Sequence, residues 1–174
     1  MRNEPVKVGV IGVGHLGQHH VKHYVSLKDA NLVGIVDTDQ ERAGEISKEF
    51  DIPVFNELQD FLNQVDAVSI VTPTPYHAKI AETCIANDIH VFIEKPITET
   101  LEEAERLLVL SKEKDVMIQV GHIERLNPAL LALKPYRVKP KFLEIQRLAP
   151  LQYEGPMSVS YTHLRAHETS LHLV

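Results

Sequence analysis

The stretch from Val6 to Asp37 constrains this chain most, because it sets a strand, a tight turn, a helix and a second strand in one order. Val6, Val8, Val10 and Ile11 form a β-branched run, followed at once by Gly12-Val13-Gly14-His15-Leu16-Gly17. A helical pattern comes next, then an apolar strand ending on Asp37, twenty residues beyond Gly17. That is the order a dinucleotide-binding βαβ unit requires. Gly12 permits the tight turn, Gly14 lets backbone N–H groups approach a pyrophosphate, and Gly17 lets the helix pack close on its strand. The unpaired N–H groups and positive dipole end of the helix then face the phosphates. Val13, His15 and Leu16 belong to the same candidate cofactor turn, His15 through its backbone. Asp37 can accept hydrogen bonds from a ribose 2′-OH and would repel a 2′-phosphate, which predicts NAD rather than NADP.

Beyond Asp37 the alternation of strand-like and helix-like segments continues, which predicts an α/β fold of the doubly wound, Rossmann type with a parallel sheet. Thr38-Asp39 can cap a helix over 39–50, Pro53-Val54 reads as a short strand, and 57–64 as a short helix. Residues 66–71 form a buried strand, 76–87 a helix with His77, Ile80, Ala81 and Cys84 on its apolar stripe, and 90–94 the next strand. Thr100 and Glu103 make a capping box for a helix to about Lys114, with Leu101, Ala104, Leu108 and Ser111 expected inward. Residues 116–121 form another strand, Ala129–Leu133 a short helix, and 142–148 a strand of something new.

The bulk properties exclude several function classes. A net charge of −6 with no basic patch argues against nucleic acid or an anionic membrane as partner. The apolar runs are strand-sized and the N-terminus enters the first strand without a signal-like segment, so a cytoplasmic location is expected. The one cysteine, Cys84, excludes an internal disulfide and reads as a buried small hydrophobe.

Ligands of such sheets bind outside the carboxyl ends of the strands. Here those ends are Gly12–Gly17, Asp37, Thr72–His77, Glu94–Pro96 and Gly121–Arg125, which carry every unusual residue cluster of the α/β pattern. Lys95 stands between an acid and a proline at one of them. The proline fixes the backbone, in the trans or cis form. A lysine beside a nicotinamide can polarise an alcohol or carbonyl oxygen and shuttle its proton.

GVIGVGHLGQHH, VTPTPYH, EKPIT and GHIERLNP, in that order, resemble the motif series of the glucose–fructose oxidoreductase / inositol dehydrogenase (Gfo/Idh/MocA) family over residues 6–150. The resemblance implies NAD(P)-dependent oxidation or reduction at a secondary alcohol of a sugar, inositol or nucleotide sugar. It makes Lys95 the lysine that assists proton transfer, and puts Glu94, Thr72, Thr74 and His77 along the nicotinamide half of the cofactor. His122, Arg125 and Asn127 would border the substrate. Within the family, GHIERLNP is most similar to nucleotide-sugar dehydrogenases of the UDP-N-acetylglucosamine 3-dehydrogenase type. A reductase of imine or biliverdin-like substrates, and a non-catalytic NAD-binding sensor, remain as alternatives.

No metal site is expected: His19 and His23 have helical i, i+4 spacing, but no cysteine or acid cluster completes a set. His20 and His90 read as packing or surface residues. The segment VSYTHLRAHETSLHLV (159–174) has no apolar periodicity and resembles a translated transposon-end sequencing adaptor. The expected organisation is therefore an NAD(P)-binding domain over 1–124, a linker and the start of a truncated substrate domain over 125–157, and a non-native tail over 158–174. The resemblance implies that the absent part holds most of an α+β domain, a histidine partner for Lys95 and the contacts of a homo-oligomer, which would leave the fragment itself inactive.

Overall fold

The computed structural model describes residues 4–136 and 142. The chain divides after Leu131 into two units, and the first carries every element named below. Five parallel strands form one sheet in the order β2-β1-β3-β4-β5. They are β1 (Val6–Ile11), β2 (Ala30–Val36), β3 (Ala67–Ile70), β4 (His90–Ile93) and β5 (Ile118–Val120). The helices are α1 (Gly17–Ser26), α2 (Gln40–Phe50), α3 (Leu58–Leu62), α4 (His77–Ala86), α5 (Leu101–Lys114) and α6 (Pro128–Leu131). This is the α/β doubly wound fold predicted from the alternation.

Successive strand residues face opposite sides of a sheet, and the core is accordingly built as two clusters. Val10 of β1 and Ile35 of β2 join Val21, Ala43 and Ile46 of the first two helices. Ile11, Val68, Ile70, Val91 and Ile93 join Phe61, Ala81, Cys84 and Leu107. On the second side two aromatic rings lie over glycines. A Cβ on Gly9 would come within 2.1 Å of Phe61, and one on Gly34 within 2.6 Å of Phe55. The two rings themselves pack with centroids 5.4 Å apart.

Two expectations are corrected. Pro53-Val54 forms no full strand: Val54 makes a single parallel bridge to Ile35 beyond β2, held by Ile35 N–H to Pro53 O and Phe55 N–H to Ile35 O. With that bridge counted, the sheet has the 3-2-1-4-5-6 order of dinucleotide-binding folds. On α5 the expected inward Leu101 and Leu108 are 70% and 48% exposed, whereas Leu107 is wholly buried. The adjacent leucines 107 and 108 project about 100° apart on a helix, so each offers its own stripe. The stripe that packs is the one with Leu107, partly buried Leu110 and half-buried Ala104 and Ser111. The capping box is present, with Glu103 N–H donating to Thr100 Oγ1 and Thr100 N–H to Glu103 Oε2. The strand expected at 142–148 and the tail at 158–174 lie outside the described residues, Phe142 apart.

Candidate active site

The strand ends line up across the whole sheet. Ile11 is in register with Val36 and with Ile70, Ile70 with Ile93, and Ile93 with Val120. Each of these is the last residue of its strand. Backbone bonds tie the next residues into the same row: Gly12 N–H to Val36 O, Val71 N–H to Ile11 O, Glu94 N–H to Ile70 O and Gly121 N–H to Ile93 O. Gly12, Asp37, Val71-Thr72, Glu94-Lys95 and Gly121-His122 thus emerge side by side on one edge.

The glycine turn has the requirements its spacing predicts. Gly12 has φ +89°, and a Cβ there would also press on Val71 O at 2.8 Å. A Cβ on Gly17 would come within 1.9 Å of Gly12 O, so only glycine lets α1 start this close to the strand. Around Gly14 nothing lies within 4 Å of the Cβ position, which leaves the turn open on the side a phosphate would approach. The first turn of α1 has no side-chain cap and no acidic residue, whereas Asp39 caps α2 and Thr100 caps α5. The N-terminal dipole of α1 therefore meets no carboxylate of its own helix.

Asp37 is half-buried and already fixed: Oδ2 accepts Val13 N–H at 2.6 Å and Oδ1 accepts Asp39 N–H at 2.9 Å. Each carboxylate oxygen keeps a second lone pair for a ribose hydroxyl. Arg42 secures the same turn by donating to Val13 O at 3.3 Å, Gln18 Oε1 at 3.0 Å and Glu45 Oε2 at 2.9 Å. The sequence reading missed Arg42, whose only local cue is its place one turn into α2.

The next strand end holds Thr72, whose buried Oγ1 has no hydrogen-bond partner. An orphan hydroxyl at this position is costly unless a ligand completes it. His77 sits behind it, 1% exposed, with Nδ1 2.9 Å from Pro96 O and Nε2 2.7 Å from Thr72 O. A neutral imidazole donates to only one of these carbonyls at a time, and the ring bridges the Thr72 and Lys95-Pro96 loops rather than opening onto the surface. Thr74 begins the 3₁₀ turn Thr74–Tyr76 that leads into α4, and its carbonyl accepts His77 N–H.

Lys95 is exposed, its peptide bond to Pro96 is cis, and its ammonium has no hydrogen-bond or ion-pair partner among the described residues. Glu94 beside it is engaged on both oxygens, by His20 Nε2 at 3.2 Å and by Lys95 N–H at 3.2 Å. His20, a packing residue against Phe92 as its sequence context suggests, also reaches the candidate site through Glu94. Past β5, exposed His122 and Arg125 line an open cavity with Phe92, Gln119 and Gly121. Asn127 is turned to structure: its side chain donates to Glu124 Oε2 at 2.9 Å and accepts Ala129 N–H at 3.0 Å at the start of α6. The row thus gathers the glycine turn, Asp37, Thr72, Glu94, Lys95 and His122 on one edge, with His77 beneath it. Among the described residues no three His, Cys, Asp or Glu side chains form a group that could hold a metal ion. Burial pushes the Cys84 thiol up to about 12, so it stays protonated and inert at neutral pH.

The residues present fit a dinucleotide: an open glycine cradle, an uncapped helix start, a fixed acid at the end of β2 and an orphan hydroxyl further along the edge. Residues 6–122 match the family model described as the oxidoreductase family with an NAD-binding Rossmann fold. The chain belongs to the Gfo/Idh/MocA oxidoreductase family. Among Gfo/Idh/MocA relatives, UDP-N-acetylglucosamine 3-dehydrogenase of Acidithiobacillus ferrooxidans is 40% identical over 148 residues, 84% of this chain and 47% of that protein. The scyllo-inositol 2-dehydrogenase (NAD(+)) of Bacillus subtilis is 37% identical over 130 residues, 71% of this chain and 37% of that protein. The solved Acidithiobacillus ferrooxidans structure superposes with TM-score 0.72, covering 75% of this chain and 42% of that one. GenD2 from gentamicin A biosynthesis, solved in complex with NAD, is 25% identical with TM-score 0.73 and matches 76% of this chain and 38% of its own. The chain spans less than half the length of the curated relatives it matches, from 37% to 47%. Among the described residues no helix is long and apolar enough to cross a membrane.

Proposed function

We propose that this chain is the cofactor-binding portion of an NAD-dependent dehydrogenase acting on a secondary alcohol of a sugar, an inositol or a nucleotide sugar. The observation that carries the reading is the row of strand ends, which sets Asp37, the glycine turn, Thr72 and Lys95 along one edge in the order a bound dinucleotide would meet them. Asp37 receives the adenosine ribose, and the turn with the α1 N-terminus receives the pyrophosphate. Bound NAD supplies the redox chemistry. Thr72 Oγ1 completes its hydrogen bond toward the far half of the ligand. The free ammonium of Lys95 donates a hydrogen bond to the substrate oxygen and stabilises the negative charge that develops there, while the alcohol proton passes to a base supplied by the further length of the relatives. His122 and Arg125 supply polar contacts at the substrate side. The UDP-N-acetylglucosamine and inositol dehydrogenases among the relatives support the carbohydrate class, with a nucleotide sugar as the first substrate to try. On this reading the chain alone binds the dinucleotide, and turnover needs the further length those relatives have.

The test has two parts. NADH and NADPH are titrated into the chain by nicotinamide fluorescence, with Asp37→Ser alongside. The expected result is NADH binding, at least about tenfold tighter than NADPH, with the gap closing in Asp37→Ser as the repulsive carboxylate is lost. Equal affinity for both cofactors in the wild-type chain would remove the NAD assignment. A form carrying the further length of those relatives is then assayed with UDP-N-acetylglucosamine and myo-inositol. Lys95→Met should lower kcat about 100-fold or more while leaving NADH affinity in place. Full activity in Lys95→Met would refute its catalytic role.

A further inference from the structure

The side chains of His20 and Glu94 are 19% and 14% exposed at the carboxyl edge, and their facing atoms lie 3.2 Å apart. The imidazole rests against Phe92 of β4 with ring centroids 5.5 Å apart. The other carboxylate oxygen accepts Lys95 N–H. The carboxylate also lies against Gly121, where a Cβ would come within 2.8 Å of Oε1. Helix α1, the turn after β4 and the glycine after β5 therefore hold this one side chain. A glutamate loses substantial rotamer entropy when fixed, and nothing in the packing of the core requires Glu94 to be held: it lies above the last core residue of its strand, Ile93.

The strand order says what the carboxylate faces. Asp37 marks the ribose end beside β2, and the glycine turn marks the pyrophosphate beyond β1. A dinucleotide laid along that line continues over β3 and β4, two inter-strand steps of about 4.8 Å each from β1. Glu94 stands at the second step. An oxidised nicotinamide ring carries a positive charge and a reduced ring does not, so a fixed carboxylate in a sheltered slot discriminates between them.

We propose that His20 is a positioning residue: it locks Glu94 at the nicotinamide end of the site and so biases the site toward the oxidised dinucleotide. The proposal rests on the dinucleotide reading above. Among the described residues, the charged and titratable groups that act on His20 are Glu94 across the contact and His19 and His23 on its own helix, and Glu94 is the acid its ring meets.

NAD+, NADH and ADP-ribose are titrated separately into the wild-type chain, His20→Ala, His20→Gln and Glu94→Gln at pH 8. ADP-ribose lacks the nicotinamide and reports on the adenosine and pyrophosphate half alone. Glu94→Gln should weaken NAD+ relative to NADH about tenfold, and His20→Ala roughly three- to tenfold. His20→Gln keeps an N–H donor for Glu94 and should recover most of the wild-type ratio, with ADP-ribose binding all four proteins alike. A wild-type NAD+/NADH ratio in Glu94→Gln overturns the proposal, as does one in His20→Ala. So does loss of ADP-ribose binding in both Glu94→Gln and His20→Gln, which would make the pair a support of the fold. If His20→Ala does not fold, the Glu94→Gln ratio decides. Failure of the wild-type chain to bind ADP-ribose would bring down the dinucleotide reading itself, whereas tight ADP-ribose binding with unaltered ratios brings down only this inference.

Discussion

Burial lowers the pKa of His20 below its ordinary 6.5, with the charge and hydrogen bond of Glu94 pulling the other way. The folded chain therefore takes up this proton at lower pH than the unfolded chain does. The stability that His20 contributes is fully present above pH 6.5 and is lost as pH falls through its folded value. Between pH 7.5 and 5.5 the urea midpoint of the wild-type chain should drop by more than that of His20→Gln. Parallel pH profiles would show that His20 is not shifted by burial. The same residue shows where sequence reading stops. Asp37 and Lys95 could be singled out as candidates because each is defined by its own neighbours: a strand followed by an acid, and a lysine between an acid and a proline. His20 stands among four histidines within nine residues, and its partner is 74 positions away. Nothing local distinguishes it from His19. Arg42 is similar, since its value lies in reaching Val13 O and Gln18 across two helices.

The capping box of α5 was legible as an element because it is a local arrangement: four residues satisfy two backbone donors without help from the rest of the fold. Thr100→Ala removes the oxygen that accepts Glu103 N–H and should cost about 1 kcal/mol. Urea unfolding would show this as a lower midpoint with an unchanged slope, and a midpoint equal to wild type would mean that Glu103 alone suffices. The inward face of the same helix was not legible. Its sequence contains two leucine stripes, and contact with α4 selects the one that includes Leu107. The bridge at Val54 has the same origin: Pro53 donates no backbone hydrogen bond, but its carbonyl accepts Ile35 N–H. That leaves one point of pairing where the apolar pattern suggested a strand.

At the scale of the molecule, the core depends on aromatic rings seated over glycines, which no periodicity rule announces. Phe61 is fully buried and stands where a Cβ on Gly9 would be. Phe61→Ala should destabilise the fold by about 3–5 kcal/mol, enough to be seen as a large fall in melting temperature by circular dichroism. A loss below about 1 kcal/mol would mean that Phe55 collapses into the space. The layout of the site was readable because α/β sheets place ligands at the carboxyl edge whatever the sequence of the strands. The row of aligned strand ends carries one more consequence. Each loop leaves the sheet from a fixed notch, and Asp37, His77 and Glu94 tie each loop to its neighbours. A single residue inserted in β1, β3 or β4 would advance that loop by about 3.3 Å and turn its first side chain to the opposite face. This edge should therefore resist any change in the length of its strands, because one displaced loop would lose its ties to the loops on either side.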